Sequence, residues 1–156
     1  AGQLGFEYVT LEQLLQQSDI VTLHVPANDK TRHMISNEQF DLMKDDSVLI
    51  NTARGEIVDI RALSRALAEE KISAAGLDVL PDEPVIREEA ELLRSVYERE
   101  HNLETLLANH ILAHMRNVVV TPHSAFNTRE AVQRIIDTTI ENIQSFNRSE
   151  TINSVN

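Results

Sequence analysis

The chain has 156 residues, 42% of them hydrophobic, which is enough for one domain with a sizeable core. It carries 25 acidic against 14 basic side chains, a net charge of −11, and so argues against nucleic acid or an anionic membrane as partner, because neutralising phosphates needs a basic face. Cysteine is absent, which excludes disulfides, thiolate metal sites and thiol nucleophiles, and no apolar run approaches the roughly 18 residues of a membrane helix.

These features predict a soluble, cytoplasmic protein. The amino terminus lacks a basic-then-apolar signal pattern. It starts at Ala1 and runs straight into the fairly polar Gln3-Leu4-Gly5-Phe6-Glu7, as expected of a processed terminus or a piece of something longer.

Taken in order, Phe6 to Val9 reads as a short strand, and Thr10, three residues before Gln13, as the cap of a helix through Gln17. Asp19 to Val25 is nearly continuously apolar with β-branched residues, the composition of a strand buried on both faces of a parallel sheet; Pro26 ends it. A polar loop, Ala27 to His33, leads to Ser36, which caps a helix pointing Phe40 and Met43 inward and closing at Asp45-Asp46. The apolar run Val48 to Ile50 stops at Asn51-Thr52, and Arg54-Gly55 turns the chain toward a helix beginning near Asp59, with Ile60, Leu63 and Leu67 as its apolar stripe. Ile72 to Val79 is the next strand. Pro81 and Pro84 then break regular structure around Asp82-Glu83. From Ile86 to about Met115 the chain is charged, leucine-rich and helical in character, with an interruption near His101-Asn102. Asn117 to Thr121 forms the last strand, ending at Pro122-His123. The final helix runs from about Thr128 to Phe146 with Val132, Ile135, Ile136, Ile140 and Ile143 on one face.

Alternating strands and helices define an α/β protein: a parallel sheet with helices on both sides, without repeats or low-complexity tracts. No G-x-G-x-x-G occurs, and the four glycines stand at positions 2, 5, 55 and 76. If this sheet binds a dinucleotide, the turn that cradles its phosphates is not encoded in this chain.

Three polar groups stand just beyond the carboxyl ends of predicted strands: Arg54, Asp78 with Glu83 soon after, and His123. Parallel strands point the same way, so these groups are expected on one rim, where open α/β sheets bind ligands. Arginine can clamp a carboxylate through two parallel N–H donors, histidine can trade a proton near neutral pH, and a carboxylate can orient it and raise its pKa. Singly, each has a bland reading: a surface arginine, a loop histidine, a solvated loop charge. Their shared address favours the functional one. His110 and His114, four apart on a helix, could bind zinc in principle, but Ile111-Leu112-Ala113 supplies no glutamate base and no third ligand is evident, so no metal site is expected. Ser124 beside His123 lacks the flanking glycines of a hydrolase nucleophile.

At this point the pattern resembles the D-isomer-specific 2-hydroxyacid dehydrogenases. The matching motifs are Leu23-His24-Val25-Pro26 with Thr31, Asn51-Thr52-Ala53-Arg54-Gly55 with Val58-Asp59, Ala75-Gly76-Leu77-Asp78-Val79 with Glu83-Pro84, and Thr121-Pro122-His123-Ser124-Ala125. They occur in the family's order and cover nearly the whole chain. The resemblance implies a partial Rossmann-type, doubly wound parallel sheet that lacks the first strands and the glycine-rich loop, with residues 1–156 as one partial dinucleotide-binding domain.

It further implies that Arg54 binds the substrate carboxylate, that His123 is the acid/base at the substrate oxygen, and that Glu83 orients the imidazole. Val25, Pro26 and Thr31 would line the dinucleotide cleft, with Thr52, Ala53 and Asp78 at the ribose and nicotinamide end and Arg54 and His123 beside it. The cofactor implied is NAD, with the choice against NADP left open, because the discriminating acidic position lies upstream in the family. The substrate implied is a small 2-keto or 2-hydroxy acid. Pro122 to Thr128, with the aromatic Phe126, looks most like the D-lactate and D-2-hydroxyisocaproate branch and points to pyruvate or a similar acid. A formate or phosphoglycerate branch and a truncated, non-catalytic interaction module are the competing readings.

In the family's strand order, Ile20 to His24 would have an unpaired edge here and Phe6 to Val9 no neighbours. An exposed apolar edge invites pairing with another chain, which predicts a homo-oligomer, a dimer through that edge, or else exchanged elements or disordered first residues.

Overall fold

Four parallel strands, taken in sequence order, make the sheet: β1 (Ile20–Leu23), β2 (Val48–Asn51), β3 (Ala74–Leu77) and β4 (Val118–Val120). They are seen in a computed structural model that describes residues 5–81 and 103–154. Around them run α1 (Leu11–Gln17), α2 (Asn37–Leu42), α3 (Ile60–Ala68), α4 (Leu103–His114) and α5 (Arg129–Asn147). The chain divides into two compact units, residues 1–122 and 123–156.

In the first unit the register sets Val21, Leu49, Ala75 and Val118 in one row, and Leu23, Asn51, Leu77 and Val120 in the next. Partners at the same level of a parallel ladder point to the same face. That face is the buried one at β1, β2 and β3, where Val21, Leu23, Leu49, Asn51, Ala75 and Leu77 are buried. Strands advancing in one direction through right-handed crossovers place every connecting helix on one side. Consistent with this, α1 packs on α2, α2 on α3, and α3 on α4, with Leu15, Phe40, Leu63, Leu67 and Leu112 in the same core as the strand residues.

The sheet is therefore wound in one direction only, one half of a doubly wound arrangement, and the described helices of this unit form one layer rather than the expected two. For the same reason β1 is not buried on both faces. Val21 and Leu23 are inside, whereas Ile20 is 61% exposed and Thr22 is also exposed, because the strand lies at the edge of the described sheet with one face turned from the helices.

Local signals account for the helix starts. Thr10 and Gln13 form a reciprocal capping box, each side chain bonding the other's backbone N–H. Ser36 and Gln39 pair in the same way at α2. Asp59 caps α3, its Oδ1 accepting from the Arg61 and Ala62 amides at 3.0 and 3.2 Å.

Phe6 to Val9, by contrast, forms no strand, and Phe6, Tyr8 and Val9 are exposed. A lone strand leaves its backbone groups unpaired, and no described strand pairs with the segment. The third strand is also shorter than expected: residues 72–73 form a bend before β3. Glu83, Pro84 and most of the charged segment from Ile86 lie outside the described residues.

The second unit is built on α5. Thr128 caps it, with Oγ1 accepting from the Ala131 amide at 3.2 Å. The segment after it folds back: the Glu150 amide donates to the Ser145 carbonyl, and the Asn153 side chain to Asn142 Oδ1. Ile135, Ile136, Ile140, Ile143 and Phe146 are all exposed.

Candidate functional site

At the carboxyl end of β2 the strand's alternation turns a polar residue inward. Asn51 is 1% exposed, on the same face as Leu49, and its amide is fully engaged with the turn that follows. Oδ1 accepts from the Ala53 N–H at 3.0 Å, and Nδ2 donates to the Arg54 carbonyl at 2.9 Å. A buried amide satisfied on both sides in this way fixes the path of Thr52-Ala53-Arg54 and projects Arg54 beyond the strand end. Arg54 itself is exposed, with Nη1 donating to the Ala53 carbonyl at 2.7 Å; Thr52 and Ala53 are half-buried.

Directly after Arg54 the backbone enters a short 3₁₀ turn, Gly55–Ile57, and Gly55 is buried against the end of β3. A Cβ at Gly55 would lie 2.3 Å from the Leu80 carbonyl carbon and 2.4 Å from the Pro81 nitrogen. Only glycine permits that approach.

Asp78, just past β3, is 4% exposed. Its N–H donates to the Asn51 carbonyl at 2.9 Å, and its Oδ1 accepts the Thr121 hydroxyl at 2.5 Å, while the Thr121 N–H bonds the Leu77 carbonyl. Asn51, Asp78 and Thr121 thus run side by side across the ends of β2, β3 and β4, with the Arg54 turn rising from the first. Beyond β1, Val25 is half-buried against the core, and Pro26 is exposed. The half-buried Thr31 closes the loop, its hydroxyl donating to the Pro26 carbonyl at 2.6 Å and accepting from the Asn28 N–H at 2.9 Å.

In the second unit His123 is half-buried and has φ +51°, the left-handed region that L residues rarely occupy. Its ring stands edge-on to Phe126, with centroids 6.4 Å apart. Backbone strain of this kind persists where the surroundings impose it, and is commonest at functional positions.

Of the expected site residues, Arg54, Asp78, Thr52 and Ala53 come together at one rim, and Val25, Pro26 and Thr31 sit beyond the adjacent strand. His123 belongs to the second unit, and Glu83 lies outside the described residues. Two organising residues carry no assigned role in the sequence reading, Asn51 and Thr121. Asn51 leaves a legible trace, a polar residue at an inward position of an apolar strand. Thr121 leaves none, because its partner is 43 residues away. The His110 and His114 rings lie tilted at 40° with centroids 4.3 Å apart, and among the described residues no group of three metal-ligating side chains forms. No described helix is long and apolar enough to cross a membrane.

A parallel sheet with its polar groups gathered beyond the strands' carboxyl ends places the chain among the Rossmann-like α/β proteins. Residues 1–125 match the family described as D-isomer specific 2-hydroxyacid dehydrogenase, NAD binding domain, and the chain belongs to that family. It is 39% identical over 148 residues to the glyoxylate reductase of Korarchaeum cryptofilum, covering 95% of this chain and 38% of that protein. With the D-specific alpha-keto acid dehydrogenase of Enterococcus faecium it shares 41% identity over 143 residues, 92% of this chain and 42% of that one. Its fold superposes on D-lactate dehydrogenase from Aquifex aeolicus, complexed with NAD and lactic acid, with a TM-score of 0.79 at 38% identity, covering 96% of this chain and 43% of that one. The chain thus spans about two fifths of the length of these relatives.

Proposed function

We propose that this chain is the part of an NAD-dependent D-2-hydroxyacid dehydrogenase that supplies the carboxylate anchor, the acid/base and the nicotinamide-side surface, with pyruvate or a 2-keto acid of similar size as substrate. The observation that carries this reading is the Arg54 turn, held by Asn51 at the strand end beside the buried Asp78. In this reading residues 1–156 are one partial dinucleotide-binding domain.

The residues fit one end of the cofactor. Asp78 is a buried acceptor braced by Thr121, half-buried Thr52 and Ala53 stand at the end of the neighbouring strand, and Val25, Pro26 and Thr31 lie beyond the end of β1. When bound, NADH supplies the hydride. The chain's own residues do the rest. The exposed Arg54 guanidinium holds the keto acid's carboxylate through paired N–H donors, orienting the carbonyl carbon. His123, protonated, gives its proton to the carbonyl oxygen as that oxygen gains charge, and takes it back in the reverse reaction. Glu83 keeps the imidazole oriented. Phe126, edge-on to His123, supplies an apolar wall suited to a short aliphatic substrate.

Retention of Arg54, Glu83 and His123 together favours this reading over a non-catalytic interaction module, which needs none of them. Because no G-x-G-x-x-G is present in the sequence, the 156-residue chain alone is expected neither to hold NADH tightly nor to turn over. The test is NADH consumption by the complete gene product carrying this sequence, with pyruvate and glyoxylate as substrates and chiral analysis of the lactate formed from pyruvate. Pyruvate reduction to D-lactate is expected; no reduction of either acid, or an L product, overturns the proposal.

A further inference from the structure

The buried face of α4 is apolar at Ala108 and Leu112 but carries an amide between them, Asn109, which is 4% exposed. Asn109 Nδ2 donates to the Pro81 carbonyl at 3.0 Å, while Oδ1 finds no partner among the described residues. A buried amide with an unmet acceptor costs free energy that leucine at the same place would not. The residue is therefore better explained by what its one donor holds than by packing.

What it holds is the Pro81 carbonyl, on the residue whose nitrogen belongs to the peptide that seats the Arg54 turn. The Pro81 carbonyl that receives the Asn109 donor is joined through the rigid Pro81 residue to the Leu80–Pro81 peptide, which Gly55 meets so closely that a Cβ would stand 2.3 to 2.5 Å from three of its atoms. Arg54 precedes Gly55 directly, and its own carbonyl is held from the other side by Asn51. The path is continuous: Asn109 fixes Pro81, the Leu80–Pro81 peptide supports Gly55, and Gly55 with Asn51 fixes the backbone from which the guanidinium projects.

We infer that Asn109 is a positioning residue for Arg54, acting through the Leu80–Pro81 peptide, and that α4 thereby sets the grip on the substrate carboxylate. The inference rests on the carboxylate role proposed for Arg54. A bidentate anchor is sensitive to displacement, so loosening its seat weakens binding of the keto acid more than it slows the steps on substrate already bound.

The test compares wild type with Asn109→Leu and Asn109→Gln in the complete gene product. Asn109→Leu keeps the volume and removes the donor and the unmet acceptor. It is expected to raise the KM for pyruvate about tenfold, with kcat changed less than about threefold, the KM for NADH unchanged and the Tm equal or higher. Asn109→Gln, which keeps a donor, is expected to recover part of the lost affinity. In a second arm that needs no substrate, the Gly55 and Leu80 amides are expected to exchange with solvent several-fold faster in Asn109→Leu than in wild type. A lowered Tm with kcat and both KM values unchanged identifies a merely structural role and overturns the inference; so does unchanged exchange at Gly55 and Leu80. A wild type that reduces no keto acid overturns the reading of Arg54 and the catalytic part of this inference, while the exchange arm still decides whether Asn109 holds the seat.

Discussion

Arg54 is useful only if its guanidinium is aimed, and its aim comes from neighbours rather than from its own side chain. Asn51 spends both halves of a buried amide on the turn, and Gly55 seats the next peptide against Leu80 and Pro81. Nη1 rests on the Ala53 carbonyl, so in the proposed role binding would exchange this local hydrogen bond for a charge-assisted pair with the carboxylate. Lysine keeps the charge but not the planar fork. Arg54→Lys is accordingly expected to raise the KM for the keto acid roughly ten- to a hundredfold, about 1.4 to 2.8 kcal/mol, and to leave the KM for NADH within about twofold, as measured by steady-state kinetics. His123, with its left-handed backbone, belongs to the same scale: the chain places an imidazole, rather than a glycine, in a conformation that favours glycine.

At the scale of elements, helix starts are the most legible feature of this sequence because each is written in adjacent residues. Thr10 with Gln13, Ser36 with Gln39, Asp59 and Thr128 all stand at the ends they announce. The Asp59 cap satisfies two amide donors, so Asp59→Ala is expected to cost about 1 kcal/mol of stability, read as a lower urea midpoint with an unchanged slope. Strands are less legible, because a strand is decided by its partner. Phe6 to Val9 has strand composition and forms none, and Ile20 has the composition of a doubly buried position and is exposed. The rim of the site divides along the same line. Arg54 and Asp78 could be placed from the strand ends that precede them. The Thr121 bond to Asp78 and the Asn109 bond to Pro81 cross 43 and 28 residues and have no local signature.

At the scale of the whole molecule, the sheet of the described residues is wound in one direction and ends at β1, where Ile20 is exposed, and residues 6–9 join no strand. An open apolar edge of this kind invites a second copy, held back here by a net charge of −11. Sedimentation of the 156-residue chain is expected to show a dimer whose population rises with added salt, as screening removes the repulsion, and falls on Ile20→Lys. A monomer at every concentration and salt level would show that the edge pairs with no second copy.

In the proposed function this chain carries the proton donor and the carboxylate anchor for reduction of a small 2-keto acid. The most direct measurement is the initial rate of NADH oxidation with pyruvate by the complete gene product and by its His123→Ala variant, folded to the same degree by circular dichroism. A kcat lower by roughly 10²- to 10⁴-fold is expected in the variant, with NADH binding retained. A variant that reduces pyruvate at the wild-type rate would contradict it.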